Sequence, residues 1–292
     1  SPASSASPTE PLGTGPVMPG RRTLGDVNTT AGAIAAIACV VALSLAALVA
    51  ELRLPLLLVL FVAMVAAPRD ARWRWAVAGA LPVALLFVLA HHLLDRQLDG
   101  SFDCADVASP VAWLRALEAL IVIAAILGLA AILGSTTREL GLRRPSRNEA
   151  LLGVAAVALI PIPSLYLGTI LAEPFFGQIQ LDLSQPVAIV PALVLAVANG
   201  TMEELVYRGA LMAWLSRAAG PTVGLVGQAI VFGAAHTGSD FTGPMLPVVL
   251  AIITGGLIAG LIVRRTGSLW LPIVVHFCFD IPLYYAATCR LG

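Results

Sequence analysis

Three short runs collect the residue types that activate water. They are Asn199-Gly-Thr-Met-Glu203-Glu204-Leu-Val-Tyr-Arg208, Phe232-Gly-Ala-Ala-His236 and His276-Phe-Cys-Phe-Asp280. A carboxylate withdrawn from water is a stronger base, and an imidazole near it can hold and polarise a water molecule. Helical spacing sorts the candidates. Glu204 and Arg208 are four apart with the acid on the amino-terminal side, the favourable order for an ion pair along one face. That pairing leaves Glu203, about 100° around the helix, free to face something else. Phe232 and His236 share a face at the same spacing, as do His276 and Asp280.

The surrounding chain is unlike a water-soluble domain. Of 292 residues, 59% are hydrophobic and 12% charged, against about 25% charged in ordinary soluble proteins. Ionisable groups inside apolar spans are costly, so each needs a partner or a purpose. All 17 basic residues are arginine and they balance 17 acids, leaving a net charge of +0 and no polycationic face. The expected partner is the lipid bilayer, and nucleic acid is not one. Cys39, Cys104, Cys278 and Cys289 contain no CxxC pair, which excludes a zinc knuckle or a disulfide-rich scaffold.

Apolar runs long enough to cross about 30 Å of hydrocarbon lie at 31–50, 75–94, 111–133, 149–172, 187–215, 246–263 and 268–289, with shorter ones at 54–67 and 221–236. They predict an all-α polytopic membrane protein of eight to nine transmembrane helices. Residues 1–30, rich in Pro, Ser, Gly and Thr, predict a flexible cytoplasmic tail. Lacking the apolar core of a secretory signal, the tail leads into a first span that is expected to be retained. Residues 31–147 are expected to form the N-terminal transmembrane helices, and 148–292 a second helical unit that holds the three polar runs. If nine spans alternate, twelve arginines, among them Arg69, Arg143, Arg217 and Arg264, share one side. Arg53, Arg96, Arg115 and Arg290 fall on the other. Arginine accumulates in short cytoplasmic loops, so the amino end is expected in the cytoplasm and the carboxyl end outside.

The run EELVYR matches EExxxR, FGAAH matches FxxxH and HFCFD matches HxxxN/D. In this order the three runs resemble the CPBP (Abi, CAAX-protease type 2) family of intramembrane endopeptidases. The small residue before the double Glu, R-G-A-L after it and G-S-L-W-L-P before His276 look like that family too, over roughly residues 148–289. The resemblance implies a conical or funnel-like catalytic cavity between the last four helices. It also implies hydrolysis of a membrane-associated protein or peptide in a bacterial-type cell (inner) membrane. Glu203 would be the general base, His236 its partner in holding water, and His276 with Asp280 the pair facing the oxyanion. Glu204 and Arg208 would be the supporting ion pair. Many members carry Asn where this chain has Asp280, and an ionised Asp can only accept hydrogen bonds. Asp280 would then orient and charge His276, or stay protonated.

The resemblance requires no cofactor. In the alternative, Glu203, His236, His276 and Asp280 form a divalent-metal set. No HExxH, GxSxG or GxGD run accompanies them. Other readings are a non-catalytic membrane scaffold or immunity protein that keeps the fold, a buried structural network, and a proton-coupled transporter using the same acids.

Further features stand outside these motifs. From Asp95 to Asp106 the acidic loop follows an EF-hand-like calcium pattern, with Gln at position three and Asp for Glu at position twelve, or is simply solvated. Cys104 and Cys289 both fall on the outer side, where a disulfide could form. His91 and His92 are expected at the interface, as are Trp73, Trp75, Trp113 and Trp270 near span ends. Phe232 is expected to pack beside His236, and Gly255, Gly256 and Gly260 to form a helix-packing face. Glu203 and His276 lie near mid-span but His236 at the end of a short run, which calls for a displaced helix or an open, funnel-shaped cavity.

Overall fold

The computed structural model describes residues 24–90, 110–164, 189–237 and 245–288. The acidic loop 95–106, His91, His92, Cys104 and Cys289 lie outside them. All regular elements among the described residues are helices. They are α1 (Leu24–Leu48), a 3-10 turn (Ala50–Leu52), α2 (Arg53–Ala66), α3 (Trp73–Leu89), α4 (Pro110–Leu133), α5 (Arg147–Leu159) and α6 (Ile189–Glu203). A π-helical stretch (Glu204–Leu211) follows, then α7 (Met212–Ala219), α8 (Pro221–Ala235), α9 (Met245–Thr266) and α10 (Trp270–Thr288).

Each predicted apolar run carries a helix, and α1 begins at Leu24, inside the segment expected to be a flexible tail. Among the described residues, four stretches are long and apolar enough to cross a membrane: Asn28–Leu48, Ala112–Leu133, Ile189–Ala219 and Leu246–Thr266. The chain is an integral membrane protein. Trp73–Leu89, Pro221–Ala235 and Trp270–Pro282 are apolar but shorter.

Local chemistry sets several element ends. Ser146 caps α5 by accepting from the Glu149 N–H while the Glu149 carboxylate accepts from the Ser146 N–H, a reciprocal capping box. Gly220 turns α7 into α8 at φ 94°, a value that favours glycine, and Pro221 starts α8 where no amide donor is needed.

In lipid, helices associate through close packing and polar contacts rather than a hydrophobic drive. Among the four candidate spans Ile189–Ala219 is the most buried, and Leu246–Thr266 the least. Helix α6 packs along α4 on one side and α10 on the other, and α8 packs on α1, α7 and α9. Tyr207, Leu211, Trp214 and Leu215 fill the centre. The contact between α6 and α10 depends on Gly200: a Cβ there would stand 3.2 Å from the Phe277 nitrogen and 3.5 Å from His276 Cβ. A side chain at 200 would push α10 away from α6.

Candidate active site

Glu203 closes α6 and Glu204 opens the π-helical stretch. Such widened turns recur at functional sites because they redirect neighbouring side chains. Arg208 Nη1 lies 3.1 Å from Glu204 Oε1, so the expected ion pair is present, with both groups almost fully buried. The expectation that Glu203 and Glu204 face different surroundings holds only in part. Both reach His276: Nδ1 donates to Glu204 Oε1 at 2.8 Å, and Nε2 lies 3.7 Å from Glu203 Oε2. Asp280 Oδ2 is also 3.7 Å from that Nε2. The ring is therefore anchored at one nitrogen, and its other nitrogen faces the space between two carboxylates. At 3.7 Å neither is a direct hydrogen bond, and a separation of this kind invites a small polar group beside all three.

His236 forms the C-cap of α8. Its Nδ1 donates to the Phe232 carbonyl at 2.8 Å, and because a carbonyl only accepts, Nε2 is left as the open nitrogen. Its ring meets Phe232 edge-on at 4.7 Å, and the Phe232 ring meets His276 at 6.2 Å. Phe232 does more than pack beside His236. It sits between the two histidines and under the Arg208 guanidinium, whose carbon is 3.9 Å from its centroid.

A cavity of about 500 Å³ adjoins these groups. Glu204, Arg208, His236, His276 and Asp280 supply its polar lining, and Phe232 with Val248, Ile252, Gly255, Ile258 and Ile262 of α9 its apolar wall. Its lining comes from the π-helical stretch, α8 with its C-cap, α9 and α10. Gly256 and Gly260 face Ala229, Leu225 and Gln228, as a packing face should, but Gly255 does not belong to it. Gly255 lines the cavity, and a Cβ there would meet nothing within 4 Å.

Sequence reasoning missed three polar residues beside the site. Arg115, expected in an outer loop, is buried in α4. It bonds to Glu118, to Asn199 and, at 3.4 Å, to Glu203 Oε1. Glu118 is fully buried too. Asn199 donates to Asp280 Oδ2 at 2.8 Å. The available signal was an acid and a base three apart within the apolar run 111–133.

Glu203, His276 and Asp280 could in principle ligate a metal. Among the described residues, however, no three His, Cys, Asp or Glu side chains are arranged to hold one. The direct contacts instead tie these acids to arginine, asparagine and imidazole donors.

Residues 185–282 match the family described as "Rce1-like: Type II CAAX prenyl endopeptidase Rce1-like". Comparison with curated proteins and with solved structures finds no match.

Proposed function

Since residues 185–282 belong to the Rce1-like family of type II CAAX prenyl endopeptidases, we propose that this chain is an intramembrane endopeptidase of glutamate type. Its substrate class is a membrane-associated protein or peptide. The observation that carries the reading is His276 Nε2 standing 3.7 Å from both Glu203 Oε2 and Asp280 Oδ2 beside a cavity with one polar end and one apolar wall.

In this reading a water molecule lies between Glu203 and the open nitrogen of His236. Its oxygen bonds to the substrate carbonyl carbon as its proton passes to Glu203. The carbonyl oxygen, now negative, faces His276, which Glu204 orients through Nδ1. The C–N bond then breaks as the proton reaches the departing nitrogen, giving a carboxylic acid and an amine. Asp280, 3.7 Å from the same Nε2, supports the positive charge on His276, and Asn199 fixes Asp280. No step passes through a metal. We place the catalytic unit at 148–292, the amino end in the cytoplasm, the carboxyl end outside, and the whole in a bacterial-type inner membrane.

The test uses the full chain in liposomes with an internally quenched farnesylated peptide ending in a CAAX sequence. In parallel, membrane-protein termini are compared in cells carrying the wild type or Glu203→Ala. Cleavage of the peptide, or termini that disappear with Glu203→Ala, supports the reading. An inert wild type together with unchanged termini overturns it.

A further inference from the structure

Helix α4 lies outside the segment that the family match covers, yet it sends a guanidinium into the site. Arg115 is 8% exposed. Its Nε and Nη2 donate to Asn199 Oδ1, its Nη1 to Glu118 Oε2, and Nη2 also reaches Glu203 Oε1. Asn199 passes the connection on, since its Nδ2 donates to Asp280 Oδ2. One side chain thus governs both carboxylates that flank His276 Nε2, Glu203 directly and Asp280 through Asn199.

We propose that Arg115, acting with Asn199, is a positioning residue that sets the separation and orientation of Glu203 and Asp280 about His276, which makes α4 part of the catalytic unit. The inference rests on the hydrolytic reading of Glu203 and His276. Two arguments support it. The motif cation Arg208 is committed to Glu204 at 3.1 Å, so Glu203 and Asp280, which repel one another, need a second fixed donor. Engaging Glu203 Oε1 also leaves Oε2, which accepts no hydrogen bond among the described residues, turned towards His276. The task suits arginine because a planar fork addresses several acceptors at once in fixed directions, which a lysine ammonium on a flexible stem does not. A displacement of about 1 Å in such a group can cost about a hundredfold in rate.

The experiment measures cleavage of the quenched farnesylated CAAX peptide by the full chain in liposomes, with rates referred to protein that elutes as a single folded species. Arg115→Lys keeps the charge and loses the fork. The expected result is a kcat lowered about tenfold or more, with KM within about twofold of the wild type. Asn199→Ala breaks the same bridge at its other end and should show the same split. Should Arg115→Lys not accumulate, Asn199→Ala decides alone. Wild-type kcat in the folded variants, or a loss that appears in KM, overturns the inference. Glu203→Gln runs alongside. If it still cleaves, or if the wild type is inert and the membrane-protein termini are also unchanged, the hydrolytic reading falls and takes the inference with it. If it is dead while Arg115→Lys and Asn199→Ala keep wild-type kcat, only the inference falls.

Discussion

The guanidinium carbon of Arg208 lies 3.9 Å from the centroid of the Phe232 ring. This contact fastens the EExxxR run to the FxxxH run, because the same ring meets His236 at 4.7 Å and Tyr207 at 5.0 Å, both edge-on. Cation and ring pairs of this type contribute about 2 kcal/mol when desolvated. Phe232→Leu keeps an apolar side chain but removes the ring face. The expected outcome is a folded protein, destabilised by about 2 kcal/mol in thermal or denaturant unfolding, with cleavage reduced about tenfold or more because His236 loses its wall. Unchanged stability and rate would show that the ring is only filler.

The two glutamates should fail differently. Glu203 ends α6 and faces His276 Nε2 with an oxygen that accepts no hydrogen bond among the described residues. Glu203→Gln should therefore abolish cleavage, by about a thousandfold, while thermal unfolding changes little. Glu204 is held by Arg208 at 3.1 Å and by His276 at 2.8 Å. Removing its charge leaves the arginine buried and unpaired, which costs about 3–5 kcal/mol. Glu204→Gln should lower the unfolding temperature sharply and lose activity in proportion to folded protein. Equal stability in both variants would contradict the division of roles.

How much of this site could be read in the chain depends on the range of each contact. Glu204 with Arg208 was legible because both lie on one helix four residues apart, where geometry is local. The shared approach of Glu203 and Glu204 to His276 was not, because the π-helical stretch starting at Glu204 shifts the angle that ordinary helical spacing assumes. The apolar pattern puts the Arg115 charge in a loop, whereas it is buried in α4. Its partners Asn199 and Glu203 lie on another helix, and no periodicity within α4 points to them. The close approach at Gly200 likewise appears only once α10 is present. Among the described residues each apolar stretch carries a helix, but α1 extends back to Leu24, into residues whose composition resembles a tail.

Gly255 and Gly256 are neighbours with opposite surroundings, which separates cavity from packing. A side chain at 255 would enter open space on the cavity wall, whereas a Cβ at 256 would stand 3.3 Å from the Ala229 backbone and 3.4 Å from Arg208 Nη2. Gly255→Trp is expected to leave unfolding unchanged and to raise KM for the farnesylated peptide about tenfold or more by filling the cavity. Gly256→Leu forces α9 off α8 and should destabilise by about 1–3 kcal/mol. If Gly255→Trp cleaves the peptide as the wild type does, the substrate does not use this cavity.

At the start of α5, which is not a candidate span among the described residues, Ser146 hydrogen bonds hold the Glu149 carboxyl below its ordinary value, and Arg143 acts in the same direction. Arg143 also bonds the Thr266 carbonyl at the end of α9, so the cap braces two helices. For a depressed carboxyl the stabilisation is fully present above its ordinary value and is lost as pH falls through the depressed one. Ser146→Ala should therefore cost about 1 kcal/mol near neutral pH, and the difference from the wild type should shrink in acid. A gap that stays constant down to strongly acidic pH would rule out the titrating cap as its source.

Asp280 accepts from Asn199 Nδ2 at 2.8 Å and faces His276 Nε2 at 3.7 Å with the same oxygen. An asparagine in its place keeps an oxygen that can accept from Asn199 and adds an N–H that can donate to an oxyanion, while giving up the charge that supports a protonated His276. The two effects oppose one another in the transition state. Asp280→Asn is therefore expected to keep cleavage within about tenfold of the wild type, and to respond to pH differently because one of the acids around His276 is gone. Asp280→Leu has neither acceptor nor donor. It strands the Asn199 amide and should lower kcat by about a hundredfold or more, the scale of losing one oxyanion contact. Measuring kcat and KM for both variants across pH decides the role of this residue. An Asn variant as inactive as the Leu variant would mean that the negative charge itself, and not the hydrogen-bonding position, is what the reaction needs from residue 280.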